Sequence, residues 1–364
     1  MPFSAVDAIS PAVEHTKRQL LQPFRFGQWV RLAFVGLLAG ELGSGGGCNP
    51  PTNFRIPHHP GSGPAFGGID PALFAILMAV VVVAALVLGL VLMYISSVMR
   101  FVLFDSVLRK ECRIREYWNA RQAPGWRYFL WKLLYTLVTF GVVIVLIGVP
   151  AGLAFIMGWF NQPKQHVLGL VLGGIFLFFV FLILVVAIAV IYVLTKDFVI
   201  PQMALEEIGA IEAWQRLWLM MKGETGSYAA YIGMKIVLAL GAAIVLGIVG
   251  AIFALIILVP AAGVAIATVM AAKAAGVGWT VYTITLAVVA GCALLAVFLF
   301  MTSLISVPAI VFFPAYSIYF FAARYPALGA VLHPAPPIAP LPVVPETTPS
   351  YEPPPLPPAP DPTG

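Results

Sequence analysis

The densest chemistry in this chain falls between residues 109 and 132. Seven basic residues lie there, Arg109, Lys110, Arg113, Arg115, Arg121, Arg127 and Lys132, with Trp118, Trp126 and Trp131 among them. A guanidinium fork matches phosphate oxygens. Tryptophan settles at the headgroup level of a bilayer. Arg113, Arg115, Arg121, Arg127, Lys132, Trp118, Trp126 and Trp131 are therefore predicted to form a membrane-surface patch for anionic lipid headgroups or an acidic protein partner. Each basic residue near such a surface contributes about 1 kcal/mol, fading within a Debye length. The alternative reading is that these charges only fix orientation in the membrane.

Other reactive residue types lack the partners their chemistry needs. Gly43-Ser44-Gly45-Gly46-Gly47 has no following Lys to reach a phosphate, so it reads as a linker rather than a P-loop. Cys48, His58 and His59 share one loop but lack a fourth ligand, and the three cysteines show no paired spacing. Ser44 and Ser62 sit in Gly-Ser-Gly without a base inside any apolar run, and no HExxH occurs. No catalytic residue, metal or cofactor is expected, and the chain is predicted not to be an enzyme. The net charge of +5 sits in segments flanking apolar runs, which argues against nucleic acid as a partner.

What must position the patch is a membrane. Of 364 residues, 61% are hydrophobic and 10% charged, against roughly 25% charged in a soluble domain. Residues 72–98, 167–195 and 281–323 contain no charge, and about 20 apolar residues cross the hydrocarbon layer. Six spans are predicted: 29–42, 72–98, 128–149, 167–195, 229–259 and 281–307. The first is short and carries Arg31 and Glu41. All must be helical, because hydrocarbon satisfies no backbone group. The expectation is an all-α, multi-pass protein of the cell membrane. No cleavable signal peptide is expected. With the N-terminus inside, 17 of the 20 Lys and Arg residues fall on the inner side, so both termini are predicted cytoplasmic.

The spans pair into three units, about 5–108, 109–205 and 206–325, within one transmembrane domain over 1–325. Each unit opens on a charged, aromatic lead and closes on an apolar box. The boxes are Phe101-Val102-Leu103-Phe104, Phe198-Val199-Ile200-Pro201 and Val311-Phe312-Phe313-Pro314. Glu14 with Arg18 and Glu212 with Arg216 are favourable i,i+4 pairs, so the leads are predicted to be interfacial amphipathic helices. Arg31, Lys132 and Lys235 stand one turn into their spans and are expected to snorkel. The span interiors otherwise lack charge, with Glu41, Arg100 and Asp105 near edges, which weighs against a proton pump or charged pore. Pro150 and Pro260 are expected near outer helix ends. Small-x-x-x-small spacings at Gly169 and Gly173, Ala85 and Gly89, Gly247 and Ala251, and Ala287 and Gly291 predict close helix contacts. Residues 334–364 hold 14 prolines and are expected to form a disordered tail.

Phe198-Val199-Ile200-Pro201, Glu206-Glu207-Ile208-Gly209-Ala210-Ile211-Glu212-Ala213-Trp214, Lys222-Gly223, and the earlier Leu21-Gln22-Pro23-Phe24-Arg25 with Trp29 carry a resemblance. Over about residues 5–325 the chain resembles uncharacterised bacterial integral membrane proteins similar to the membrane domain of glycerophosphoryl diester phosphodiesterases. The resemblance implies a membrane domain and transfers no catalytic residue. Two functions follow: a non-enzymatic membrane protein, lipid-interacting or scaffolding, or a transporter or channel for a neutral or amphipathic solute.

Overall fold

Apolar runs longer than a bilayer needs form helices that are bare along one part and packed along the other. The computed structural model of the chain describes residues 4–41, 71–159, 166–276 and 281–333. The expected linker around Gly43 to Gly47, Cys48, His58, His59, Ser44, Ser62 and the proline-rich tail lie outside the described residues. The helices are α1 (Ile9–Leu21), α2 (Phe26–Ala39), α3 (Pro71–Leu108), α4 (Ile114–Ala120), α5 (Gln122–Ile156) and α6 (Val167–Leu194). A π-helical turn (Thr195–Val199) joins α6 to α7 (Ile200–Glu206). Then follow α8 (Ala210–Gly223), α9 (Thr225–Ala274), α10 (Val281–Ala322) and α11 (Pro326–Leu332).

Five of these are long and apolar enough to cross a membrane: Ala75–Leu108, Gln122–Ile156, Val167–Glu206, Thr225–Ala274 and Tyr282–Ala322. The sixth expected span is α2. Its 14 residues rise about 21 Å at 1.5 Å per residue, short of the roughly 30 Å hydrocarbon layer. It stops at Gly40, whose φ of +79° lets its N–H turn back to Gly36 and Leu37 carbonyls.

The core lies at one end of the bundle. In α3, Ile76 to Leu92 are exposed while Phe101, Val102 and Val107 are fully buried. The same division recurs in α5, α6, α9 and α10. Tyr128, Leu194, Tyr231 and Tyr316 are buried, and Leu137, Phe176, Ile244 and Leu286 are bare. Around the packed ends gather α1, α2, α4, α7, α8 and α11, making a base from which five apolar arms extend. Arms of this length and apolarity are compatible with a multi-pass membrane protein. All three boxes converge in the base. Leu103 and Phe104 of the first, Ile200 and Pro201 of the second and Pro314 of the third line one small cavity.

Close approach holds the base together. A Cβ on Gly36 would stand 2.7 Å from Ile310, and one on Gly125 would stand 2.7 Å from Val98. Glycine thus lets α2 meet α10 and α5 meet α3. Trp29 Nε1 donates to the Leu304 carbonyl at 2.9 Å, tying α2 to α10. Two leads form the expected pairs, Arg18 with Glu14 at 2.8 Å and Arg216 with Glu212 at 2.7 Å.

Two expectations are corrected. Pro150 and Pro260 lie inside helices, which run on to Ile156 and Ala274. Each removes one backbone donor, and the next turns simply continue. Of the small-residue motifs, Gly169 meets Trp159 at 3.3 Å, but nothing lies within 4 Å of a Cβ at Gly89, Gly173, Gly247 or Gly291. These glycines stand on the bare arms, where none of the described residues packs on them.

The base also holds a buried imidazole. His15, 2% exposed, donates from Nε2 to the Val107 carbonyl at 2.9 Å and accepts from the Tyr319 hydroxyl at Nδ1, 3.3 Å away. Burial pushes its pKa down and Lys110 adds to this, against the pull of the Val107 carbonyl. A depressed histidine stabilises the fold fully above its unfolded value, near 6.5. That contribution is lost as pH falls below it, because the unfolded chain takes the proton first. Denaturation midpoints should drop as pH falls from 7 to 5. His15→Gln keeps a donor for Val107 and should flatten that slope.

Candidate functional site

Three arginines from two separated elements meet at one cleft on the base. Arg31 comes from α2, and Arg113 and Arg115 from the start of α4. With Ile114 and Glu116 they line a cavity of about 360 Å³. The short α4 follows the turn at Lys110, which adopts a φ of +59°, and this turn swings Arg113 and Arg115 toward α2. Gln28 Nε2 donates to the Lys110 carbonyl at 2.8 Å and fixes the spacing. Arg113 pairs with Glu111 at 3.0 Å and Glu116 at 3.3 Å but stays 61% exposed, so its charge faces solvent. Arg31, expected only to snorkel, is exposed and completes the cleft.

The remaining expected members divide between surface and interior. Trp126 is half exposed and packs on Phe129 at 5.2 Å and Tyr94 at 5.8 Å. Trp118 meets the same Tyr94 ring edge-on at 6.4 Å. Arg127 is exposed and donates to the Glu207 carbonyl. Arg121 points inward. It grips Asp105 with two bonds, 2.6 and 3.0 Å, and the Ala204 carbonyl with a third at 2.6 Å. The pair is 13% and 3% exposed, so this guanidinium pins α3 to the start of α5 and to α7. Trp131 stacks between Tyr128 and Tyr135, at 6.1 and 5.2 Å, and against Trp214 of α8 at 6.5 Å. Lys132 is half buried, with Nζ 3.4 Å from Ser96 Oγ.

Where the arms leave the base, the structure holds an ionic layer that sequence reasoning missed. Lys196 pairs with Glu41, and Lys235 with Asp197. Asp197 also accepts from the Tyr231 hydroxyl at 2.9 Å. Arg100 Nη2 donates to the Ala39 carbonyl and the Tyr192 hydroxyl, both at 2.8 Å, and the guanidinium lies 5.2 Å from that ring's centre. Lys235 therefore does not snorkel; its ammonium is turned into the protein, 11% exposed. Arg100 and Asp105 are interior because α3 continues past its predicted edge to Leu108, whereas Glu41 is interior although α2 stops at Ala39. The π turn has its own part. It presents consecutive residues, Lys196 to α2 and Asp197 to α9, and such turns often mark functional positions. The signal available in the sequence was the Tyr-x-x-x-Lys spacing, Tyr128 with Lys132 and Tyr231 with Lys235, one turn apart on equivalent helices.

A second concavity is apolar. Its volume is about 530 Å³, between α1, α9 and α10, and its lining includes Leu20, Ala242, Val245, Pro308 and Phe312, with Lys17 at its edge. Among the described residues, no three of His, Cys, Asp or Glu lie together as a metal would need. No curated protein and no solved structure matches the chain. Residues 3–331 match a family of unknown function, DUF7544, and the chain belongs to that family.

Proposed function

We propose that this chain is a non-enzymatic, multi-pass membrane protein that binds anionic lipid headgroups on the face of its base. The observation that carries this reading is the convergence of Arg31, Arg113 and Arg115 on one cleft. Among the described residues, the carboxylates paired at the cleft are Glu111 and Glu116, both on Arg113, which leaves three guanidiniums against two carboxylates. A guanidinium fork fits phosphate, as it fits carboxylate, through two parallel hydrogen bonds. Exposed Trp126 and Arg127 extend the surface. An anionic phospholipid carrying a photoactivatable group on its headgroup tests the reading. Adducts should fall on peptides bearing residues 31 and 113–116, and excess unlabelled anionic lipid should remove them. Adducts spread evenly over the arms would sink the idea.

The basic-residue asymmetry supports placing the base at the cytoplasmic face of the cell membrane, with both termini there. Tyr316 donates to the Ala5 carbonyl at 2.9 Å, and α11 packs beside α7, so Ser4 and His333 both belong to the base. Ends on one side imply an even number of passages, and five long helices make an odd one. That parity supports the six-span reading, in which α2 belongs to the sixth. The meeting of the three boxes at one cavity supports the reading of three parallel two-helix units. The likeness to the phosphodiesterase membrane domain adds no activity to it.

Sidedness can be checked with an impermeant thiol reagent, but not at Cys112. That thiol is 4% exposed and burial pushes its pKa up, so it is silent from either side. A cysteine replacing exposed Asn119 reports instead. In a background where Cys48 and Cys292 are serine, Asn119→Cys should stay unlabelled in intact cells or spheroplasts and react after permeabilisation. Labelling before permeabilisation would turn the base outward.

The apolar groove favours a second reading, passage of an amphipathic solute along α9 and α10. It is separated from the first by flux: reconstituted protein would move a fluorescent amphiphile between leaflets or compartments.

A further inference from the structure

The apolar groove beside α1 has fixed walls. Pro308 has no backbone N–H, so the Leu304 carbonyl one turn earlier in α10 loses its helical partner. Trp29 Nε1 takes that carbonyl at 2.9 Å. The bond holds the indole in place, and Trp29 and Pro308 both line the groove. From α9 come Gly241 and Ala242. Nothing lies within 4 Å of where a Cβ on Gly241 would stand, so small residues keep that wall open. The volume of about 530 Å³ falls within the roughly 300–1,000 Å³ of small-molecule sites.

The groove has a polar end and an apolar end. Lys17, exposed on α1, is the one charged residue among those lining it. Among the described residues, no carboxylate is ion-paired with Lys17; Glu14, one turn away, is held by Arg18 at 2.8 Å. Thr16 spends its hydroxyl on the Ala12 carbonyl within α1. The two ends lie at different depths. Helix α1 is packed into the base through Ala12, His15 and Leu20, whereas Val245 is bare on the α9 arm. From Lys235, where the arm leaves the base, to Leu246 on the groove wall, α9 rises about 16 Å at 1.5 Å per residue. That is about half of the roughly 30 Å hydrocarbon layer, the depth of one leaflet.

We infer that this groove seats one acyl chain of a bilayer phospholipid, with the phosphate of that lipid on the Lys17 ammonium. A cation at the base, apolar walls beyond it and one leaflet of depth reproduce the order of phosphate and chain in such a molecule. Lysine binds phosphate as a point charge. The inference rests on the multi-pass membrane reading and takes the groove as a seat rather than a passage. It does not depend on the arginine cleft, with which the groove shares no residue.

Native mass spectrometry of the full chain in a mild non-ionic detergent tests it, with dioleoylphosphatidylcholine as the probe. That lipid is net neutral, so a preference of the cleft for anionic headgroups plays no part. One equivalent should bind saturably. Dioleoylglycerol, with the same chains and no phosphate, should bind roughly tenfold more weakly or worse, the worth of one charged hydrogen bond. Lys17→Gln should weaken the phospholipid by a similar factor and leave dioleoylglycerol unchanged, and Lys17→Arg should restore the difference. Ala242→Phe fills the groove and should abolish binding of both lipids. Gly247→Leu, on the bare arm outside the groove, should bind as the parent does. Should Ala242→Phe fail to fold, Lys17→Gln, at an exposed position, still decides. Binding that never saturates, or that survives in folded Ala242→Phe, would overturn the inference. So would equal affinity for phospholipid and dioleoylglycerol, or displacement of the phospholipid by an equal concentration of oleate.

Discussion

Lys235→Met should cost about 3–5 kcal/mol of stability, because it leaves the Asp197 carboxylate charged and alone in a dry interior. Asp197 is 2% exposed, and among the described residues its remaining hydrogen-bond partner would be the Tyr231 hydroxyl. A neutral hydroxyl does not balance a charge. Replacing both members, Asp197→Leu with Lys235→Met, should return most of the loss, since removing a buried pair together is often close to neutral. Unfolding in detergent by a denaturant series would read both values. If the double variant were as unstable as the single one, packing rather than charge would hold α6 to α9. An unchanged single variant would mean that Lys235 reaches water, as a snorkelling lysine does.

Arg121→Gln should be of similar size, about 3–5 kcal/mol by the same reasoning. It strips a two-bond partner from Asp105 and a third bond from the Ala204 carbonyl. Arg115→Gln, on the exposed cleft, should stay within about 0.5 kcal/mol of the parent. The contrast separates two arginines that a sequence cannot tell apart. It also governs how lipid binding is tested. Neutralising Arg121 together with Arg113 and Arg115 would unfold the base and remove binding for the wrong reason. Arg31 is the proper third position. Equal stability of the Arg121 and Arg115 variants would place Arg121 back on the surface.

The helical class and five of the membrane runs were legible because hydrophobicity alone decides them. A charge-free stretch of bilayer length has no other stable form in lipid. The pairs of Glu14 with Arg18 and Glu212 with Arg216 were legible as well, because i,i+4 spacing is local. What failed was everything set by where a helix stops. The second and fourth predicted spans, 72–98 and 167–195, ended beside Arg100 and Lys196, as if those charges marked the water boundary. In the structure α3 runs from Ser97 through Arg100 and Asp105 to Leu108 inside protein. Ion pairing with other helices makes that tolerable, and pairing partners 16 to 155 residues away leave no local mark. The cleft shows the same division. Arg113 and Arg115 could be singled out by density and by their tryptophan neighbours. Arg31 could not be joined to them, because only the tertiary turn at Lys110 brings α4 against α2.

The central claim is that the Arg31, Arg113 and Arg115 cleft selects anionic headgroups. The most direct measurement is lipid selectivity in nanodiscs of defined mixture, comparing the parent with Arg31→Gln/Arg113→Gln/Arg115→Gln. At about 1 kcal/mol per basic residue, the triple variant should lose roughly a hundredfold in preference for anionic over zwitterionic lipid at low salt. Its unfolding midpoint should match the parent's, and the parent's preference should fade as salt is raised. Equal selectivity in parent and variant, with both folded, would contradict the account and leave the basic cluster as a determinant of orientation alone.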